Sequence, residues 1–321
     1  MDKANPMERG FLAFFTLTAV LLTGLTFGMN CYVDPFGRWA AVDESSVAGK
    51  PAYTLNRRLF KLIAFDHWMA DHAGERVSVL IGDSTTNQID ADDLTRLTRR
   101  PWYNLAYGGA GLAETIDLVA YVMNRHPLTQ IVWGLPFARL IAGAENDIPR
   151  TIDMVGTPLR HMLTFESLHA SYLVLRATWL GIGFEDPKMD TGDQDIVTYQ
   201  LSRARSEIAG RPWPGEELVS LEDTLEEAQD RGVSVVLLNP PVHPRTTELY
   251  RTSFAERYAG YLTLLERHCV IDFDQAAHRA AWPARMFLDA SHLTIEYKPL
   301  LTRALAQALG VPCARPLLTA R

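Results

Sequence analysis

VSVLIGDS, residues 77–84, is the stretch on which the fold turns. It is a short, mostly apolar and β-branched run that ends in a glycine. A strand buried on both faces of a parallel sheet requires such a run. Working outward, the pattern recurs. WYNLAY (102–107), TQIVWGLP (129–136), VSVVLLNP (233–240) and VIDF (270–273) have the same character. Between them lie segments with apolar residues at helical spacing. One runs to about Asn124, one is LVSLEDTLEEAQDRG (218–232), one runs to His268, and LTIEYKPLLTRALAQAL (293–309) closes the chain. NRRLFKLIAFDHWMADH supplies another before the first strand, with Leu59, Leu62, Ile63 and Trp68 on its apolar face. Strands alternating with helices predict a parallel α/β sheet. Residues 138–216 break the alternation. They are rich in Gly, Pro and Asp but hold an apolar helical segment at 164–182, and read as an insertion packed over one edge of the sheet.

Composition sets the outer bounds. The chain has 321 residues, 47% of them hydrophobic, enough for a buried core and too many for wholesale disorder. Its 31 Lys+Arg against 38 Asp+Glu give a net charge of −7, with no basic block, which argues against nucleic acid as a partner. Cys31, Cys269 and Cys313 are far apart and form no CxxC pair, so neither a disulfide-rich scaffold nor a cysteine zinc site is expected. The scattered histidines carry no HExxH, no metal is assigned, and no cofactor is expected.

From Gly10 to Val33 there is no charged residue. A membrane span needs ~20 mostly apolar residues. All faces of this segment are apolar, which disfavours a buried core helix. It runs into MNCYVDPFG with no small-x-small cleavage site, which disfavours a secretory leader. An uncleaved single-pass anchor is the expectation. Lys3 and Arg9 before the span balance Arg38 and Lys50 after it, so charge does not orient it. A short tail ahead of a long domain places that domain outside the cytoplasm. The expected organisation is a cytoplasmic tail 1–9, an inner-membrane anchor 10–33, a juxtamembrane linker and helix 34–75, a main domain 76–312 carrying the insertion, and a tail 313–321.

Two segments could carry chemistry. Gly82-Asp83-Ser84 follows a buried strand, and ligand sites in open α/β sheets form outside the carboxyl ends of strands. Ser84 is expected at the N-terminus of the next helix, where free N–H groups favour negative charge. An ordinary capped helix start would use the same residue types. Asp289-Ala-Ser-His292 stands just before the last helix. A serine hydroxyl becomes nucleophilic when a base, usually His oriented by an acid, takes its proton. Asp289 and His292 could supply both, or simply cap a helix.

Taken together, GDS after the first strand and DxxH before the last helix resemble the SGNH (GDSL-type) hydrolases, over roughly a third of the chain: 77–112, 129–137 and 286–309. The resemblance implies a flavodoxin-like three-layer α/β/α sandwich and esterase or acyltransferase chemistry, with Ser84 as nucleophile, His292 as base and Asp289 orienting it. Asn104 and Gly109, in NLAYGG, fit the family's second block, with the N–H groups of Gly109 and Ser84 as oxyanion donors. The third block departs. Where the family has Gly-x-Asn-Asp, this chain has Gly134-Leu135-Pro136-Phe137, and Pro136 has neither a side-chain donor nor an N–H. Losing one oxyanion donor costs about 10²–10³ in rate. Arg139 and Asn239 are the substitutes considered. His243, in the Pro-rich loop 239–244, is a further candidate for substrate contact or as an alternative base.

An N-terminal span leading into a DPFG turn and then a GDS strand end also resembles a membrane-anchored branch of that superfamily, similar to alginate O-acetyltransferases and the D-alanine-transfer proteins of teichoic acid modification. That implies an acyl donor, an envelope or secreted polysaccharide or glycan acceptor, and room for a membrane acyltransferase partner. Hydrolysis and transfer use the same triad and stay open. The rival expectation is a non-catalytic scaffold of an exopolysaccharide modification or export complex, and a third is a lipid-directed esterase.

Overall fold

The computed structural model describes residues 6–42, 46, 49–141, 146–182, 195–275, 278 and 280–311. The expected tail 313–321 and residues 1–5 of the expected tail 1–9 lie outside that set. The chain divides into two compact units, Met1–His67 with Arg150–Lys188, and Trp68–Pro149 with Met189–Arg321.

The second unit is built on five strands: β1 (Val77–Ile81), β2 (Trp102–Asn104), β3 (Leu128–Gly134), β4 (Ser234–Asn239) and β5 (Val270–Asp272). All pair in parallel, in the order β2-β1-β3-β4-β5. That is the flavodoxin-like strand order. Leu80 lies opposite Val132 and Val132 opposite Val236, which sets one continuous apolar row across the sheet. With Leu238, that row packs on Leu94 of helix Ala91–Thr98 and on Leu301 and Leu305 of the closing helix Lys298–Leu309. The alternate residues Val79, Ile81, Ile131, Trp133 and Leu237 are buried on the other face. Helices Leu112–Arg125 and Gly215–Asp230 pack on each other there and touch β1 and β4. The sandwich therefore has three layers. Burying each such side chain contributes ~1.5–3 kcal/mol, so the central strands anchor the fold.

Two expected helices differ in detail. The segment after β4 is two helices, Pro244–Ser253 and Ala255–Glu266, parted at Phe254, whose φ of −131° leaves the helical region. The closing helix starts at Lys298 rather than 293, because residues 287–293 fold into a tight turn bridged between Phe287 and Leu293.

The first unit holds α1 (Pro6–Val33), α2 (Gly49–Leu55) and most of α3 (Arg57–Asp71); α4 (Ala91–Thr98), α5 (Leu112–Arg125) and α6 (Phe137–Ile141) belong to the second, and the expected insertion adds to the first most of α7 (Ile148–Gly156), α8 (Pro158–His161) and α9 (Phe165–Leu180). Its Gly10–Val33 segment, with a mean hydropathy of 1.9 and a stretch of 18 residues none of which is buried, is long and apolar enough to cross a membrane. DPFG is an ordered corner rather than a loose linker. Asp34, at φ +46°, accepts hydrogen bonds from the N–H groups of Arg38 and Trp39 (2.7 and 2.8 Å). Phe36 is buried against Leu59, Phe60 and Ala170. Arg38 donates to the Met154 carbonyl and stands 3.1 Å from His161 Nδ1. Burial, and then the Arg38 charge, bring the His161 pKa down to about 4, so the ring is neutral and accepts.

Candidate active site

The site forms at the carboxyl ends of β1 and β4, in the second unit. β1 ends in Gly82, and β3 in Gly134. The Thr86 side chain fits between these two glycines, and a Cβ on either would overlap its hydroxyl. This close approach is why glycine occupies both positions. It draws the chain after β1 into a 3₁₀ turn, Thr86–Gln88, and the α-helix begins only at Ala91, capped by Asp90. Ser84 therefore sits in the turn ahead of that 3₁₀ segment, half-buried, and not at an α-helix N-terminus as expected. Gly134→Ala is expected to destabilise the domain by about 1–3 kcal/mol, the usual cost of overpacking. Urea unfolding checks this. Thr86→Ala in the same chain should recover most of the loss, because it removes the atoms the new methyl would meet.

Residues 208 positions apart in sequence meet at Ser84. His292 Nε2 lies 2.8 Å from Ser84 Oγ. On the other side of the ring, His292 Nδ1 lies 2.8 Å from Asp289 Oδ2 and 3.0 Å from Oδ1. Asp289 also accepts from the N–H groups of Ser291 and His292, each at 2.8 Å. Burial pushes the Asp289 carboxyl up, but the hydrogen bond and charge of His292, helped by those two N–H groups, outweigh it and bring its pKa down to about 2. The carboxylate is thus ionised at neutral pH. An ionised acid on Nδ1 holds that nitrogen as the donor and leaves Nε2 free to accept the serine proton.

The turn that carries Asp289 and His292 is held from four directions. Gln88, from the serine loop, accepts from Leu293 N–H (2.7 Å), tying the two candidate segments to one another. His243 N–H and Thr246 Oγ1 both donate to the Ala290 carbonyl (3.1 and 2.7 Å). Gln200 of helix Ile196–Ala209 donates to Asp289 Oδ2 (3.2 Å) and accepts from Ala290 N–H (2.9 Å). Neither glutamine is marked by any sequence motif. Gln200 lies in the expected insertion, and only the folded chain brings it 89 positions along the sequence to Asp289.

The remaining candidates divide. Arg139 is at the site. Its Nε donates to Asp83 Oδ2 (3.2 Å), while Asp83 Oδ1 accepts from Thr85 N–H and Oγ1 (2.9 and 2.5 Å). Arg139 lines a cleft of about 260 Å³ with Pro136, Gln200, Ser291 and His292. Gly109, at φ +86°, occupies a turn that glycine favours. The chain leading to it runs beside β1, with Tyr107 N–H donating to the Gly82 carbonyl (3.3 Å).

Asn104, Asn239 and His243 are occupied elsewhere. The Asn104 amide donates to the carbonyls of Thr86 and Ile89 (3.2 and 2.8 Å) and accepts from Ala106 N–H, so it braces the serine loop rather than facing a substrate. Asn239 donates to Asp272 Oδ1 (2.8 Å) across the β4–β5 pairing. His243 caps helix Pro244–Ser253 through Nδ1, and burial followed by the Arg245 charge lowers its pKa. A larger hollow of about 740 Å³ beside β5 is lined by Gln130, Ser234 and Val270 at the strand starts, away from the serine–histidine pair.

No family model and no curated protein matches the chain. Among solved structures, it is similar to a putative lipolytic protein of the G-D-S-L family from Desulfitobacterium hafniense DCB-2, with 11% identity and a TM-score of 0.37, covering 73% of this chain and 99% of that one.

Proposed function

We propose that the protein is a serine-dependent acyl-transfer enzyme of the SGNH kind. The observation that carries this reading is the unbroken hydrogen-bonded line from Asp289 through His292 to Ser84 Oγ. Ser84 Oγ attacks an acyl carbonyl while His292 Nε2 takes its proton. The tetrahedral oxyanion accepts from the N–H groups of Ser84 and Gly109, with the Arg139 guanidinium in place of the donor that Pro136 cannot provide. His292 returns the proton to the departing alkoxide, leaving acyl-Ser84 and a free alcohol. Water or a sugar hydroxyl then attacks the acyl carbon, its proton passes to His292, and Ser84 Oγ leaves and recovers that proton.

The cleft of about 260 Å³ lined by Arg139 and His292 would receive the acyl group. In the reading proposed here, the α1 span holds the protein in the inner membrane with the domain outside the cytoplasm, acting on an envelope glycan. The experiment is p-nitrophenyl acetate turnover by the full-length protein, with and without envelope polysaccharide. Nitrophenol release with acetate as product means hydrolysis. Release with acetylated polysaccharide means transfer. The absence of proline's N–H at position 136 favours one other reading, a non-catalytic scaffold, and no release at all would support that instead.

Gln200 is assigned as a positioning residue for Asp289. Gln200→Ala removes a hydrogen bond to a charged group, worth about 1.5 kcal/mol or more. If that loss falls on the transition state, kcat drops by about tenfold. Nitrophenyl acetate kinetics should show it in kcat with KM little changed.

A further inference from the structure

Helix α9 carries an exposed outward face, which none of the described residues of its unit buries. Phe165, His169, Tyr172, Arg176 and Trp179 follow one another at alternate spacings of four and three, so they form one stripe along the helix. Phe165 is 80% exposed and Trp179 70%, with Leu180 and Ile182 open beyond them. The opposite face, with Ser167, Ala170, Ser171 and Val174, is buried. From Ser167 to Ile182, Arg176 is the only Lys, Arg, Asp or Glu.

The direction of α9 follows from its partners. In its first turn, Glu166 accepts from Asn56, a residue well past the apolar segment of α1 (2.6 Å). Ala170 packs on Phe36, at the corner just after α1. Ser171 donates to Asn30 Oδ1 (2.7 Å), inside the last turn of α1, and Asn30 itself donates to the Met162 carbonyl. Each step along α9 therefore moves back toward α1. The rest of the helix, Tyr172–Leu180, continues that way for about 13 Å at 1.5 Å per residue. Thr26 and Phe27, one turn before Asn30 in α1, are half-buried as well.

We propose that this face of α9 lies in the membrane interface beside the anchor, with the lipid bilayer as its partner. Trp and Tyr concentrate at the headgroup level, and an interfacial helix sinks its apolar face about 5–10 Å into the headgroup and acyl boundary. Arg176 can keep its guanidinium at the headgroups while its stem lies along apolar surface. The helix packs on the end of α1, whose exposed apolar residues suit lipid, and this favours the bilayer over a protein partner. The protein is then held by one spanning helix and one interfacial helix. The inference rests on reading α1 as a span.

The test uses full-length protein reconstituted into phosphatidylcholine–phosphatidylglycerol vesicles whose acyl chains carry bromine, a quencher of tryptophan, with unbrominated vesicles as reference. The fluorescence due to Trp179 is the difference between wild type and Trp179→Phe, a replacement at an exposed site that keeps an aromatic ring. The expected result is that bromine quenches this component by more than half. An alkaline carbonate wash reads the span separately. Protein retained in the vesicles with Trp179 quenched supports the proposal. Protein retained with Trp179 unquenched leaves the anchor standing and overturns the proposal, the face then being bare or covered by protein. Protein washed off overturns the span reading and, with it, the proposal.

Discussion

Ser84→Ala is expected to abolish ester turnover, lowering kcat by about 10⁶ while leaving the fold intact. The size of the loss follows from the chemistry. Ser84 Oγ is the atom that His292 Nε2 reaches at 2.8 Å, and no other hydroxyl has that hydrogen bond among the described residues. Removing it leaves the acyl group with no nucleophile and His292 with no proton to take. The oxyanion donors and the cleft survive, so residual catalysis over water is expected to persist at a low level. Because Ser84 is half-buried in a surface turn, its truncation leaves no large cavity, and thermal unfolding should be nearly unchanged. Nitrophenyl acetate kinetics together with a melting curve check both halves.

Asp289→Asn carries the second largest effect. The amide can present an N–H to His292 Nδ1, which favours the tautomer with the proton on Nε2. That nitrogen then donates to Ser84 instead of accepting, and kcat should fall by roughly 10⁴. Two N–H groups that the carboxylate now accepts also lose a charged partner. Asp289 is held down to about pKa 2, below its ordinary 3.8, so its contribution to stability is present above about pH 3.8 and is lost as pH falls toward about 2. Circular-dichroism unfolding of wild type beside Asp289→Asn checks this: the stability difference between them should shrink over that range. A difference that stays constant down to about pH 2 would contradict the assignment.

Much of this architecture was legible in sequence because it depends on local pattern. Five short apolar runs became five parallel strands, because short β-branched or aromatic runs with regular helices between them suit strands of a parallel sheet. Ser84 and the pair Asp289–His292 were legible because short motifs mark the ends of particular strands and helices. The side-chain amides were not. Asn104 and Asn239 stand at strand ends, where a donor to substrate was expected, yet each is committed to a neighbouring loop or strand that the linear sequence does not reveal. Gln200 and Gln88 were missed for the converse reason: a glutamine in a helix or a turn has no spacing that announces a tertiary partner. The start of the closing helix was placed too early because residues 287–297 are held in turns, Leu288 N–H donating to the His292 carbonyl and Thr294 N–H to that of Met286, before the helix begins at Lys298. The apolar segment 164–182 was legible as a helix, but the sequence does not say which side of an apolar helix meets protein.

Fluorophosphonate labelling of the folded full-length protein, followed by mass analysis of the peptide containing Ser84, tests the central claim most directly. The account predicts one adduct, on Ser84, that disappears in His292→Ala because the oxygen is no longer activated. A folded wild-type protein that takes no adduct, or takes it on another residue, would contradict it.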